Sequence, residues 1–256
     1  PCFPLYTKAL DYICHADFHV RIAALTVILN IYNQPDPLVR AFLAQGEARS
    51  ALLERLVGAL RSQCLIMADR VMMMAGNDPG FCKDSIAGLQ DQVFYLQDVF
   101  TSGQQELNTQ LCNALMERFV RPLLLRDWLT GGKLGPMFPQ VALCALAQLF
   151  IIIMDPPLVR LLARETLGKP STRVAQAPVL QMLQSKREEL CMGALIVLQA
   201  LSENQVVRSD LGLMPSMGIG DGRHHHHSTT PALVTQRGVG TNHNWQARHP
   251  MSHVPL

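Results

Sequence analysis

The sequence predicts an all-α protein: a string of antiparallel helices, armadillo- or HEAT-like, stacked as an α-solenoid and followed by a disordered C-terminal tail. Three observations carry that expectation. Apolar residues recur at spacings of three and four through most of the chain. Gly and Pro interrupt these runs where helix ends would fall. No stretch alternates with period two over strand length, so almost no sheet is expected. The solenoid is inferred from helix order, since no sequence period is evident, and a compact helical bundle is the competing arrangement.

The elements follow in order. Leu5, Ala9, Tyr12 and Ile13 fall on one face of a short first helix. Asp17 is placed to cap a second, whose stripe is Val20, Ala24, Val27, Ile28 and Ile31. The short turn between them sets the pair back to back. In QPDPLVRAFLAQG, Asp36 is an N-cap, Pro37 the first helical position, and Gly46 lies just past the end. A long helix over about 48–75 buries Leu52, Leu56, Leu60, Cys64, Met67 and Val71, and GNDPG ends it. Ile86, Leu89, Val93, Leu96 and Phe100 mark the next helix, closed by Gly103. Leu107, Leu111, Leu115 and Phe119 mark another, which Pro122 should stop.

Residues 130–139, TGGKLGPMFP, read as a loop. Pro139 opens a helix that is apolar all round, VALCALAQLFIIIM. At 14 residues this run is shorter than the roughly 20 that a membrane span requires, so a buried helix is expected and no transmembrane segment. Pro156–Pro157 opens a helix that closes at Gly168, the linker GKPSTRVAQAP follows, and a last helix covers about 179–201. From Val207 the chain is rich in Gly, Thr, His and Asn, with no apolar period. Such a segment cannot bury enough surface to offset its ordering entropy. The expected organisation is a helical region over 1–206 and a disordered tail over 207–256.

Composition narrows the function classes. Apolar residues make up 48% of the chain and charged residues 16%, so most of it should be packed. Basic and acidic residues number 22 and 20, a net charge of +2, which gives no electrostatic case for nucleic acid. The 7 cysteines are scattered without a CxxC, as expected of buried reduced thiols.

Catalytic patterns are missing from the sequence. GGKLG at Gly131 lacks the upstream glycine and the hydroxyl of a phosphate-binding loop. His15 and His19 are four apart, but a cap at Asp17 between them takes them off a common helical face. His224 to His227 could hold a metal only weakly. Glu188, Glu189 and Asp98 have no second carboxylate placed to separate their acidities. Met72 to Met74 point in three directions around a helix. No catalytic residue, cofactor or metal site is expected.

The N-terminal stretch FPLYTKALDYICHADFHVRIAALTVILNIYN, residues 3–33, resembles the FPL-domain family. Phe3, Pro4 and Leu5 match the triplet that names the domain, and Tyr6 follows it. Val20, Arg21 and Ile22 match its V-R-I, and Asn30 and Tyr32 its N-x-Y, so that residues 1–33 correspond to the end of that domain. DSIAGLQDQVFYLQDVF, LCNALMERFVRPLL and PQVALCALAQLFIIIMDPPLVRLLARETL also look like family helices, in the family order. REELCMGALIVLQALSENQ does so more faintly. The family comprises endosomal-maturation and autophagy regulators of animals and a plant relative linked to vacuolar trafficking.

The resemblance implies a non-enzymatic scaffold or adaptor that promotes endosome–lysosome (vacuolar) trafficking and autophagosome maturation. It implies a cytosolic protein, peripheral on endosome, Golgi, lysosome or vacuole membranes. Its partners would be a tethering complex, a small GTPase or a ubiquitin ligase. The alternatives are a ubiquitin-ligase-associated regulatory subunit and a purely structural solenoid. Arg21 and Arg40, off the apolar stripes, are the candidate partner-binding residues. Family members carry helical sequence before FPL and a long region after it. The chain is therefore expected to be a fragment whose first layer exposes an apolar patch and self-associates.

Overall fold

A computed structural model describes residues 3–73, 79–102, 104–125, 139–168 and 177–210. All of these belong to one unit. Every regular element among them is helical. The helices are α1 (Pro4–Tyr12), α2 (Phe18–Tyr32), α3 (Pro37–Leu43), α4 (Gly46–Met73), α5 (Pro79–Thr101) and α6 (Gln105–Leu115). The last runs into a π-helical segment, Met116–Leu125. Then come α7 (Pro139–Ile152), α8 (Pro156–Leu167), α9 (Pro178–Leu183), α10 (Glu188–Glu203) and α11 (Gln205–Asp210). The predicted all-α class is what the structure shows.

Local chemistry sets the helix starts. The Asp17 carboxylate accepts from the backbone N–H of His19 at 2.8 Å and of Val20 at 3.4 Å, capping α2. Asp36 accepts from Leu38 and Val39 at 2.7 and 3.2 Å and caps α3, with Pro37 in the first turn. Asp155 does the same for α8 through Leu158 at 3.1 Å. Gly168 ends α8 with φ 79°, the left-handed region that a side chain rarely adopts.

Registers between helices show how they are ordered. Tyr6 meets Ala48 and Asp11 meets Arg55, so α1 and α4 run parallel. Arg49 meets Glu106 and Glu54 meets Arg118, so α4 and the α6–π helix run parallel too. In a second row, Tyr95 reaches Leu25 and Gln104 reaches Tyr32, which aligns α5 with α2. Gln90 pairs with Gln148, and Gln97 accepts from the Met154 N–H, aligning α7 with α5. Gly193 lies against Leu143, and Asn204 binds the Phe150 carbonyl, aligning α10 with α7. Between the rows the sense reverses: Gln63 lies by Gly88 and Arg70 by Ser85, so α4 and α5 are antiparallel. Parallel rows joined by antiparallel pairs are compatible with a solenoid.

The all-round apolar helix predicted after Pro139 is α7, and it occupies the centre. Val141, Ala142, Leu143, Ala145, Leu146, Ala147, Leu149, Phe150 and Ile152 are buried. It packs on α4, α5, the π segment and α10, so little of its circumference is left for polar residues. Each large aliphatic or aromatic side chain so buried contributes about 1.5–3 kcal/mol.

Several expectations are corrected. In α1 the buried face is Tyr6, Ala9, Leu10 and Ile13. Leu5 and Tyr12, assigned to it from the sequence, are 56% and 47% exposed. Gly46 opens α4 instead of closing α3, because Ala44 stays in the right-handed region and the turn completes on Gln45. Val71 is partly exposed at the end of the α4 stripe.

Pro122 does not stop its helix. The wider π turn spares its ring the clash with a preceding carbonyl, and Leu123, Leu124 and Leu125 stay buried. The single last helix expected over 179–201 is broken between α9 and α10, where the polar run Gln184–Arg187 offers nothing to bury. There Ser185 Oγ accepts from the Arg187 N–H at 3.2 Å. Of the described cysteines, Cys64 and Cys112 are buried thiols, whose burial pushes them up to about 12 and about 11, but Cys14 is exposed.

The boundary expected at Val207 also moves. Residues Gln205–Asp210 form α11, whose Arg208 N–H bonds the Asn204 carbonyl, and Asp210 pairs with Arg160 of α8 through both its oxygens. The remainder of the tail, with His224 to His227, lies outside the described residues, as do the core of the loop expected at 130–139, with its GGKLG, and most of the linker after Gly168.

Asn204 is the buried polar residue on which the last layer turns. Its side-chain amide donates to the Phe150 and Ile153 carbonyls at 2.7 and 2.9 Å, while its oxygen accepts from the Val206 N–H at 3.0 Å. Removing it strands buried acceptors at the end of α7. Asn204→Ala should cost about 2–3 kcal/mol in urea unfolding.

Asp17 gives the fold an acid dependence. The His19 and Val20 N–H groups hold its carboxyl below the usual carboxylate range. A depressed folded value stabilises above the unfolded value and is lost as pH falls through the folded one. Asp17→Asn keeps an acceptor at the cap, so its thermal midpoint should fall less steeply than the wild type's as pH is lowered from 5 toward 2.

Candidate interaction surfaces

The family-motif residues divide between core and surface. Tyr6 is buried and donates to the Ala48 carbonyl at 2.8 Å, and its hydroxyl lies 3.3 Å from that of Tyr32. Burial raises both phenols above their ordinary value. Phe42 meets Phe3 and Tyr6 edge-on, with ring centroids 5.6 and 5.4 Å apart. Phe3, Tyr6 and Tyr32 thus pin α1 and α2 to α3 and α4. Pro4 sits in the first turn of α1. Val20, Arg21 and Ile22 are half-buried, while Leu5 and Asn30 are exposed.

The two candidate arginines are in different settings. Arg40 is exposed on α3. Arg21 is half-buried, and its guanidinium donates to the carbonyls of His15 and Ala16 at 2.8 and 2.9 Å, closing the turn from α1. His15 Nδ1 accepts from the Asp17 N–H at 3.0 Å, which occupies that nitrogen in the turn. Among the described residues, no three His, Cys, Asp or Glu side chains gather as metal ligands.

Among the described residues, a concave surface lies between the parallel helices α4 and α6–π. It is an open pocket of about 430 Å³ lined by Ser50, Leu53, Gln110, Asn113, Ala114, Glu117 and Arg118. Leu53 and Ala114 supply an apolar floor, and Gln110 and Asn113 supply amides that both donate and accept. Ion pairs frame it: Arg49–Glu106 at one end, Glu54–Arg118 at 3.5 Å across the other, and Arg121 to Glu117 and Glu165 beyond. Sequence reading missed this site. Its residues are the polar positions between apolar stripes, and only the parallel register of the two helices joins them.

The arrangement is that of a helical array presenting grooves and helix faces. The resemblance to the FPL-domain family is borne out by curated relatives. The chain is 29% identical over 171 residues to Protein CLEC16A of Homo sapiens, an alignment covering 65% of this chain and 16% of that protein. It is 27% identical over 154 residues to the Drosophila melanogaster CLEC16A homolog, covering 60% and 14%. It is 21% identical over 127 residues to Protein TRANSPARENT TESTA 9 of Arabidopsis thaliana, covering 48% and 15%. The chain thus spans a small part of the length of the relatives it matches. No family model matches the chain, and no solved structure does. Among the described residues no helix is long and apolar enough to cross a membrane.

The arginines make a paired test. Arg21→Glu sets a carboxylate against the His15 and Ala16 carbonyls and should lower the thermal midpoint by several degrees. Arg40→Glu, on an exposed face, should leave it within a degree or so. Differential scanning fluorimetry of both reads this directly.

Proposed function

We propose that the chain is a non-enzymatic scaffold segment in membrane trafficking and autophagy, acting by protein–protein contact. The single observation that carries this is its similarity to CLEC16A of Homo sapiens, at 29% over 171 residues, together with the resemblance of residues 3–33 to the FPL domain. The finer reading is promotion of endosome–lysosome or vacuolar transport and of autophagosome maturation. The protein would sit peripherally on endosome, Golgi, lysosome or vacuole membranes.

The groove between α4 and α6–π suits this role. It is open and shallow, with amides beside a small apolar floor and charges of both signs on its rim. Such a lining offers hydrogen bonds to a partner's backbone and little enclosure for a small molecule. The class of partner is a folded or extended protein segment of a tethering complex, a small GTPase or a ubiquitin ligase.

Purified candidates from these three groups, titrated against the chain by biolayer interferometry, test the reading. Asn113→Arg and Arg118→Glu lie on exposed helix surface and should leave the helical signal intact. Each should weaken capture of a tethering subunit or GTPase at least tenfold. Binding to a RING ligase alone would favour the ligase-associated reading. No binding to any of them would leave a structural solenoid.

A further inference from the structure

The outer face of the second row carries an inference on a surface apart from the α4/α6–π groove. Consecutive residues of a helix point about 100° apart, so neighbours on each flank of α7 locate that face. On α5, Leu89 is buried in the core, Gln90 reaches Gln148 of α7, and Asp91 therefore points away from the core. On α10, Ala194 is buried, Gly193 lies against Leu143 of α7, and Met192 points to the same side as Asp91. Between these two walls lies the open stripe of α7, with Cys144 half-buried and Ile151 50% exposed.

The two walls differ in chemistry. Along α5, Asp84, Asp91 and Asp98 recur at every seventh position, a line about 21 Å long. Asp84 is exposed; Asp91 and Asp98 are half-buried and engaged with their surroundings, so they add a fixed negative field. Lys83 offsets one of these charges. Along α10, Met192 and Ile196 stand one turn apart, 57% and 50% exposed. Glu203 continues that wall and accepts from the neutral Gln199 amide at 2.9 Å, while Arg187 and Glu189 cancel as a pair. The face is thus apolar over α7 and α10 and net acidic along α5.

We propose that this face seats an amphipathic helix of another protein, its apolar side on Ile151, Met192 and Ile196 and a row of Lys or Arg along Asp84, Asp91 and Asp98. Charge complementarity selects this occupant. A helix laid over α7 sets residues at i, i+3, i+4 and i+7 against the aliphatic wall, the anchor spacing of helix recognition. Its cations, two turns apart, meet the seven-residue repeat of the aspartates. Met192 adapts its shape to the apolar side chains it receives. The same negative field repels an anionic membrane and the identical face of a second copy. The proposal holds whatever occupies the groove between α4 and α6–π.

Fluorescence anisotropy with the full chain tests it, using two labelled peptides that share leucines at i, i+3, i+4 and i+7. One carries lysines on the flank and the other glutamates. The lysine peptide should bind at least tenfold more tightly than the glutamate peptide, and its affinity should fall as salt is raised from about 50 to about 300 mM. Asp84→Lys and Ile196→Ser should each weaken its capture about fivefold or more. Asp69→Lys, an equal charge change at an exposed position of α4, should leave capture unchanged. Met192→Ser replaces Ile196→Ser should that variant lose its circular dichroism signal. Equal binding of the two peptides overturns the proposal. So does an equal loss with Asp69→Lys and Asp84→Lys, since net charge alone then accounts for capture. Failure to bind the lysine peptide also overturns it, and capture of phosphatidylserine vesicles in its place would mark the face as a lipid seat.

Discussion

The structure depends on α7 being covered on nearly every side. A helix with neighbours on α4, α5, α10 and the π segment has almost no perimeter for polar groups, and its sequence from Val141 to Ile152 is accordingly apolar apart from Gln148. Gln148 is half-buried and bonds Gln90 of α5 at 2.9 Å, so the one amide has a partner. Around this helix the others are held by side chains that reach backbone: Asn204 to the end of α7, Tyr95 to Leu25, Tyr6 to Ala48. These contacts fix sliding between helices, which apolar packing alone leaves soft.

The same constraint explains what could be read from the sequence and what could not. Apolar periodicity located the helices, because stripe residues such as Leu52, Leu56 and Leu60 are buried for the reason that the period exists. Capping aspartates were legible for the same local reason. Pro122 was misread because the rule that proline ends helices assumes an α ladder, and a π turn relieves the clash that the rule rests on. Leu5 and Tyr12 were misread because a nine-residue helix has too few turns to tell one apolar face from its neighbour. The groove between α4 and α6–π was invisible, since Ser50 and Asn113 come together only through the register of helices far apart in sequence.

The FPL-type motif can be understood in these terms. Phe3, Tyr6 and Tyr32 are packing residues that join the first layer to α3 and α4, and Arg21 closes the turn within that layer. The motif that carries the resemblance is therefore chiefly a description of how α1 and α2 dock. None of the motif residues lines the groove between α4 and α6–π. Most of the length of CLEC16A and TRANSPARENT TESTA 9 lies outside the match.

The central claim is that α2, α5, α7 and α10 form one parallel row. Double electron–electron resonance between spin labels on exposed positions of its outer members tests it most directly. Labels at His19 and Glu188 report the starts of α2 and α10, and labels at Asn30 and Ser202 report their ends. In a parallel row both like-end pairs, His19–Glu188 and Asn30–Ser202, are closer than the crossed pairs, His19–Ser202 and Asn30–Glu188. Crossed pairs closer than like-end pairs would mean an antiparallel bundle and contradict the account.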